Sequence, residues 1–91
     1  YSAAKAGVAA MAVAWARELA RYGIRAASIA PGFIGTEMVM AMKPEARDKL
    51  TAGIPLGRIG DPDEIAATVQ FIFENDYVNG RCLDVDGGLR L

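Results

Sequence analysis

The first 22 residues of the chain carry a helical pattern. Alanine dominates the stretch, Gly23 supplies a stop signal, and Arg17 and Arg21 lie where cations favour the negative end of a helix. At 100° per residue, larger side chains fall on one face and small ones on the other. The pattern predicts one helix over residues 1–22, covered on both sides. The larger face holds Tyr1, Lys5, Val8, Ala12, Trp15, Leu19 and Tyr22, and the small face holds Ala3, Gly7, Ala10 and Ala14.

Two short apolar stretches predict β-strands. Residues 24–30 do not alternate with polar side chains, which is typical of a strand covered on both faces, and Pro31 with Gly32 ends them. Arg81–Val85 predicts a second strand, which an Asp-Gly-Gly turn closes. Strands of this kind need more strands and helices around them than one short chain contains.

The segment between the strands predicts a loop and then a helix. Residues 36–57 indicate a loop with one or two short helices. Asp61 suits an N-cap and Pro62 the first position of a helix that extends to about Asn75. The order helix, strand, loop, helix, strand contains a strand–crossover–strand unit, so we expect an α/β fold with parallel strands and a right-handed connection. The inner side of this helix is expected to hold Ile65, Val69 and Ile72.

Composition narrows the function classes. Of 91 residues, 53% are apolar, and the net charge is −1 without any block of like charges, so neither a nucleic-acid partner nor an anionic membrane partner is expected. No apolar run has the length of a membrane span. Histidine is absent and Cys82 is the single cysteine, which argues against a metal site and an internal disulfide and fits a cytoplasmic location.

Tyr1 and Lys5 are four residues apart, so their side chains leave the same face of the predicted helix. A phenol has a pKa of about 10, and a neighbouring ammonium favours the phenolate and lowers that pKa towards neutrality. A tyrosine tuned in this way can deliver a proton to a carbonyl oxygen. The alternative is an aromatic ring on an apolar face beside a solvated lysine.

The Pro31–Gly32 turn follows the first predicted strand. In open α/β sheets, ligands bind at the carboxyl ends of parallel strands, and Gly32 permits a close backbone approach there. The backbone after this turn can hydrogen-bond an amide. The alternative is a plain turn that ends a strand.

Taken together, these segments resemble the C-terminal portion of the short-chain dehydrogenase/reductase family. The resemblance rests on four motifs, which occur in the family's order and spacing and cover nearly the whole chain: YSAAKAGV, GIRAASIAPGFIGTEM, PLGRIGDPDEIAATVQFI and NGRCLDVDGG. It implies that residues 1–91 are the C-terminal part of one NAD(P)-binding, Rossmann-like domain with a doubly wound parallel sheet. It also implies an oxidoreductase that interconverts a carbonyl and a secondary alcohol with NAD or NADP.

The resemblance assigns roles to single residues. Tyr1 matches the proton donor, and Lys5 matches the lysine that holds the nicotinamide ribose and lowers the pKa of the tyrosine. Pro31, Gly32 and Ile34 match the turn that meets the nicotinamide, with the Ile34 backbone bonding its carboxamide, and Thr36 matches a hydroxyl that contacts the carboxamide or the phosphates. Ala27 departs from the asparagine that is frequent in such proteins, which concerns local contacts of the strand and not the chemistry.

The family's glycine-rich phosphate turn, catalytic serine and assisting asparagine would all precede Tyr1. We therefore expect this chain to be a piece of a longer protein. One alternative is a truncated chain that acts only as a structural or oligomerisation module, and another is an inactive parent, which the presence of both Tyr1 and Lys5 disfavours.

An apolar, small-molecule carbonyl or alcohol is the expected substrate, and 3-oxoacyl thioesters are the leading candidates by resemblance. Met38 and Met42 are expected to contact it, because flexible thioethers suit a yielding cover. Met40, Val39, Ile54 and Leu56 would line or cover the same region. The alternative for these side chains is packing around a short helix.

The resemblance also implies a homodimer or homotetramer. We expect the small face of the first helix to pack against its counterpart in another subunit, because a two-fold contact is self-complementary. The Ala10→Arg substitution in the full-length protein should weaken this assembly. Light scattering measures the change, and an unaltered oligomer would remove this helix face from the interface.

Overall fold

The first helix ends where its sequence predicts. The computed structural model describes residues 2–90, and α1 comprises Ser2–Leu19, followed by a 3₁₀ helix over Ala20–Tyr22. Gly23 then adopts φ 74°, a left-handed conformation that is costly for residues with a Cβ, and its N–H donates to the Ala20 carbonyl. Tyr1 lies outside the described residues.

The remaining elements confirm the α/β class and the predicted order, since β1 and β2 form a two-stranded parallel sheet. The predicted loop contains two short helices, and the long helix ends one residue before the predicted Asn75. The elements are β1 (Ala27–Pro31), α2 (Glu37–Met40), α3 (Pro44–Ala52), α4 (Pro62–Glu74) and β2 (Arg81–Val85).

The chain divides into two compact units. The first unit comprises the described residues as far as Ala30 together with Val69–Leu83. The second unit comprises Pro31–Thr68 together with the described residues from Asp84 onward.

In the first unit, α1 packs through alanines and not through its larger side chains. Ala12 and Ala16 are 3% and 6% exposed, and a Cβ placed on Gly80 would lie 3.1 Å from that of Ala16. Val8 and Trp15, on the larger face of a helix that was predicted to be covered on both sides, are about half exposed. The reason is steric, because the backbone at residue 80 comes so close to the helix that only small side chains fit between them. The predicted small face (Ala3, Gly7, Ala10 and Ala14) is exposed throughout.

Arg25 caps the carboxyl end of α4. Its guanidinium donates to the carbonyl oxygens of Ile72, Phe73, Asn75 and Val78 at 2.8–3.2 Å, and it lies 3.7 Å from an Asp76 carboxylate oxygen. The last carbonyls of a helix have no partners within it, and the negative end of the dipole favours a cation. One side chain therefore satisfies both requirements.

The first strand begins later than the predicted residue 24. The Ala26 N–H donates to the Asn79 side-chain oxygen at 3.0 Å, and the Ala26 carbonyl accepts from the Gly80 N–H at 2.7 Å. Residues 24–26 are thus held by the loop after α4, with Arg25 reaching the helix end. The regular strand starts only at Ala27.

The amino end of α4 confirms the predicted cap. The Asp61 side chain accepts from the Asp63 N–H at 2.8 Å, and the Glu64 side chain accepts from the Asp61 N–H at 2.9 Å. This reciprocal arrangement is a capping box. The predicted inner face is correct for Ile65 and Ile72, which are half-buried, but wrong for Val69, which is 54% exposed because it lines an open groove of the first unit.

We predict that Arg25→Met in the full-length protein lowers the free energy of unfolding by about 2 kcal/mol, because carbonyl groups lose a charged donor. Denaturant unfolding provides the measurement. The control is Arg17→Met, at an exposed position on α1, which should change stability by less than about 0.5 kcal/mol. Equal effects of the two substitutions would contradict the capping role of Arg25.

Candidate functional site

In the second unit, the carboxyl ends of the two strands are held against each other. The Gly32 N–H donates to the Val85 carbonyl at 2.9 Å, which continues the strand pairing one residue beyond Pro31. A Cβ on Gly32 would lie 2.7 Å from both Cα and Cβ of Asp86. Only glycine fits at this distance, so the chain after β1 is fixed to the turn after β2.

Ile34 occupies the loop that leaves this contact. It forms a parallel bridge with Gly60. In this bridge the Gly60 N–H donates to the Phe33 carbonyl at 2.9 Å, and the Gly35 N–H donates to the Gly60 carbonyl at 2.8 Å. In a parallel bridge the central residue directs its own N–H and C=O to the opposite edge. The Ile34 carbonyl accepts from the Thr36 N–H at 2.7 Å. The Ile34 N–H remains as a donor that points away from Gly60.

The turn after β2 carries a nearly buried ion pair. Asp86, whose side chain is 8% exposed, accepts from the Gly88 N–H at 3.0 Å and from Arg90 at 3.2 Å. Arg90 also donates to the Pro31 carbonyl at 2.9 Å. Burial alone raises the pKa of Asp86, but the Gly88 N–H and the Arg90 guanidinium outweigh it, so the pKa lies below its ordinary value.

A second ion pair holds the segment before α4. Arg58 donates to both carboxylate oxygens of Glu64, at 2.7 and 2.8 Å. These bonds, followed by the bond from the Asp61 N–H, lower the pKa of Glu64 to about 2, and the pKa of Arg58 is raised in turn. Both side chains are about half exposed, and the pair bonds only within residues 58–64. This ion pair therefore stabilises the amino end of α4 locally.

An open cleft of about 470 Å³ lies at these strand ends within the second unit. Its walls include Phe33, Ile34, Pro55, Leu56 and Val85. The cleft is therefore mainly apolar, and Arg58, Glu64 and Asp86 contribute charged groups to its lining.

The predicted substrate-contacting methionines lie elsewhere in the second unit. Met38, on α2, is 81% exposed, and Met42 is half-buried after that helix. Ile54 was expected to face a substrate, but it is 4% exposed and its Cγ2 would lie 2.8 Å from a Cβ on Gly87. The Leu56 N–H donates to the Gly87 carbonyl at 3.1 Å, which draws this segment against the turn and makes Ile54 part of the core.

The structure brings some of the predicted site residues together. Pro31, Gly32, Ile34 and Thr36 form one continuous turn in the second unit, and Thr36 is exposed at the start of α2. Lys5 is half-buried on α1 in the first unit. Tyr1 is outside the described residues, so its role, like the roles of the others, stays a prediction.

Sequence reasoning missed three residues of the site. Gly60 bridges Ile34, and Asp86 and Arg90 hold the end of β1. The two glycines after Asp86 are the one local signal that could have indicated a close backbone approach there. No local signal links Arg90 to Pro31, because the two residues are 59 positions apart.

The described residues contain neither a metal-binding cluster nor a helix suited to span a membrane. Within residues 2–90, no three His, Cys, Asp or Glu side chains are placed to hold a metal ion. Among the helices of the same part of the chain, none combines the length and apolarity needed to cross a membrane.

Comparison with known proteins places the whole chain in one group. A family model described as enoyl-(acyl carrier protein) reductase matches residues 1–90. The (3R)-3-hydroxyacyl-CoA dehydrogenase of Mus musculus is 46% identical over 91 residues, which cover 98% of this chain and 35% of the relative. The acetoacetyl-CoA reductase of a Synechocystis strain is 50% identical over 90 residues, which cover 96% of this chain and 38% of the relative.

A third relative extends the comparison to carrier-protein substrates. The 3-oxoacyl-acyl-carrier-protein reductase of Thermotoga maritima is 45% identical over 91 residues, covering 98% of this chain and 37% of the relative. The chain thus spans little more than a third of the length of the curated relatives it matches.

We predict that Gly32→Ala in the full-length protein costs about 1–3 kcal/mol of stability, because the added methyl group would overlap Asp86 and the backbone must shift. Thermal and denaturant unfolding provide the measurement. The control is Gly35→Ala in the same loop, where the nearest atom to the added Cβ is 3.5 Å away, and its cost should be smaller. A Gly32→Ala protein as stable as the control would refute the close approach.

Proposed function

Because this chain belongs to the short-chain dehydrogenase/reductase family, we propose that it forms the C-terminal portion of one NAD(P)-binding, Rossmann-like domain. The protein that contains it interconverts a carbonyl and a secondary alcohol. The observation that carries this proposal is the family match over residues 1–90, which includes both the Tyr1–Lys5 pair and the strand-end turn.

The turn after β1 suits a nicotinamide dinucleotide, either NAD or NADP. Gly32 lets the backbone approach closely, and the Ile34 N–H points away from Gly60, free to donate to a carboxamide oxygen. Thr36, exposed at the start of α2, offers a hydroxyl to the carboxamide or the phosphates. When bound, the dinucleotide supplies or accepts the hydride.

Tyr1 and Lys5 carry the proton transfer in this proposal. Tyr1 gives a proton to the carbonyl oxygen during reduction, or takes it from the hydroxyl during oxidation. The Lys5 ammonium favours the phenolate of Tyr1, which lies four residues before it, and also bonds the nicotinamide ribose hydroxyls. The same lysine therefore orients one reactant and tunes the acid.

We propose a 3-oxoacyl or 3-hydroxyacyl thioester as the substrate. The names of the three relatives above all refer to such acyl groups on coenzyme A or a carrier protein. Met38, largely exposed, and Met42 would form a flexible cover for the apolar acyl chain.

We also propose that the protein assembles as a homodimer or homotetramer through α1. Its small face is exposed along its whole length, which supports this role. A second candidate function, that of a truncated association module without activity, is favoured by the same exposed face. The intact mass of the protein, compared with 9.6 kDa for this chain, separates the two.

We predict that Tyr1→Phe in the full-length protein lowers turnover by about 10²–10⁴-fold, because the ring stays but the proton donor is lost. Affinity for the dinucleotide should be largely kept. Steady-state reduction of acetoacetyl-CoA with NADH or NADPH gives the measurement.

Tyr77→Phe is the matched control, since Tyr77 is 98% exposed, and its turnover should equal that of the wild type. If the Tyr1→Phe protein retains turnover within about threefold of the wild type, the assignment of Tyr1 is wrong.

A further inference from the structure

The turn after β2 contacts Pro31, the first residue of the proposed cofactor turn. One terminal nitrogen of the Arg90 guanidinium donates to the Asp86 carboxylate at 3.2 Å, and the other terminal nitrogen donates to the Pro31 carbonyl at 2.9 Å. Asp86 in turn lies against Gly32, where a Cβ would be only 2.7 Å from it. The ion pair thus contacts both Pro31 and Gly32, the two residues at which β1 ends.

The pair is held in place from the opposite side. Gly87 and Gly88 have φ of 64° and 91°, which residues with a Cβ rarely adopt, so the turn requires glycine at both positions. The buried Ile54 packs on Gly87, and the Leu56 N–H donates to its carbonyl. The Asp86 and Arg90 side chains are 8% and 21% exposed.

The Asp86 carboxyl carries its charge near neutral pH. The Gly88 N–H and the Arg90 guanidinium hold the pKa of this carboxyl below its ordinary value. Two charged groups that are nearly enclosed and share several hydrogen bonds resist displacement, since removing one member of the pair leaves the other less well compensated in its enclosed position.

Ile34, whose N–H would bond the carboxamide, lies three positions after Pro31. The loop is fixed on one edge by the Gly60 bridge and at its origin by Val85, Asp86 and Arg90. A displacement of Pro31 would therefore move the Ile34 N–H relative to Gly60. Catalytic geometry is sensitive to shifts of this size.

Resting on the function proposed above, we propose that Asp86 and Arg90 are positioning residues for the cofactor turn. They set the location of the Ile34 N–H, and so the orientation of the nicotinamide ring, without touching the dinucleotide themselves. Nothing in the proposed chemistry of Tyr1 and Lys5 requires this pair.

The test compares two ligands of the full-length protein. NADH or NADPH, whichever the wild type prefers, contains the nicotinamide, whereas ADP-ribose, or its 2′-phosphate for an NADPH enzyme, lacks it. Calorimetry gives both affinities well below the melting temperature, and the fluorescence of the bound reduced nicotinamide reports its surroundings.

We predict that Arg90→Met weakens the reduced dinucleotide about tenfold, or about 1.4 kcal/mol, and changes the affinity for the nicotinamide-free ligand by less than about twofold. Arg90→Lys keeps one donor and the charge, so its loss should be intermediate. The fluorescence of the bound dinucleotide should shift in the same order.

Asp86→Asn keeps an acceptor for the Gly88 N–H and provides the test if Arg90→Met does not fold. Its expected loss is about threefold, again confined to the reduced dinucleotide. The control is Arg17→Met, at an exposed position of α1, which should change both affinities by less than about twofold.

Equal losses for both ligands, or no loss for either, would overturn the positioning role, because a merely structural pair has no preference for the nicotinamide half. A wild-type protein that binds neither NADH nor NADPH would instead refute the proposed function itself. The two failures are therefore distinguishable from the wild-type measurement alone.

Discussion

The close approach of the Gly32 backbone to Asp86 is the constraint on which the second unit depends. A separation of 2.7 Å between a would-be Cβ and two Asp86 atoms leaves no room for any side chain at this position. The contact fixes where β1 ends, lets Gly32 pair with Val85, and brings Arg90 to the Pro31 carbonyl. The direction of the Ile34 N–H follows from these bonds together with the Gly60 bridge. The candidate site is therefore a property of two strand ends and not of one motif.

In the first unit, a single cation has a comparable effect. Arg25 donates to four carbonyl oxygens at the end of α4 and in the following loop, of which the Asn75 carbonyl also accepts from the Val78 N–H. With this loop fixed, Asn79 and Gly80 bond Ala26, and Gly80 comes close enough to α1 to select alanine at position 16. The hydrogen bonds of Arg25 at the end of α4 thereby contribute to the requirement for a small side chain at position 16 of α1.

Burial within the chain is shallow for a sequence that is 53% apolar. The nearly buried apolar residues of the described part are three alanines and Ile54, whereas Trp15 and Phe73 are 49% and 78% exposed. Extended exposed apolar surface is unusual on a protein that is a monomer in water. It supports the proposal that these helices belong to a larger sheet domain, in which further strands or subunits cover them.

The sequence by itself determined the elements whose signals are local. Gly23 stopped α1, Asp61 and Pro62 started α4, and the bounds of β2 were predicted to the residue, because caps, turns and apolar runs act over a few positions. The motif around Pro31 and Gly32 likewise located the candidate turn. Only the tertiary structure decided the start of β1, the alanine face of α1, the burial of Ile54 and the roles of Arg25 and Arg90. These depend on contacts between residues up to 59 positions apart, and the energy of such a contact is fixed by how the chain returns on itself, which no local pattern encodes.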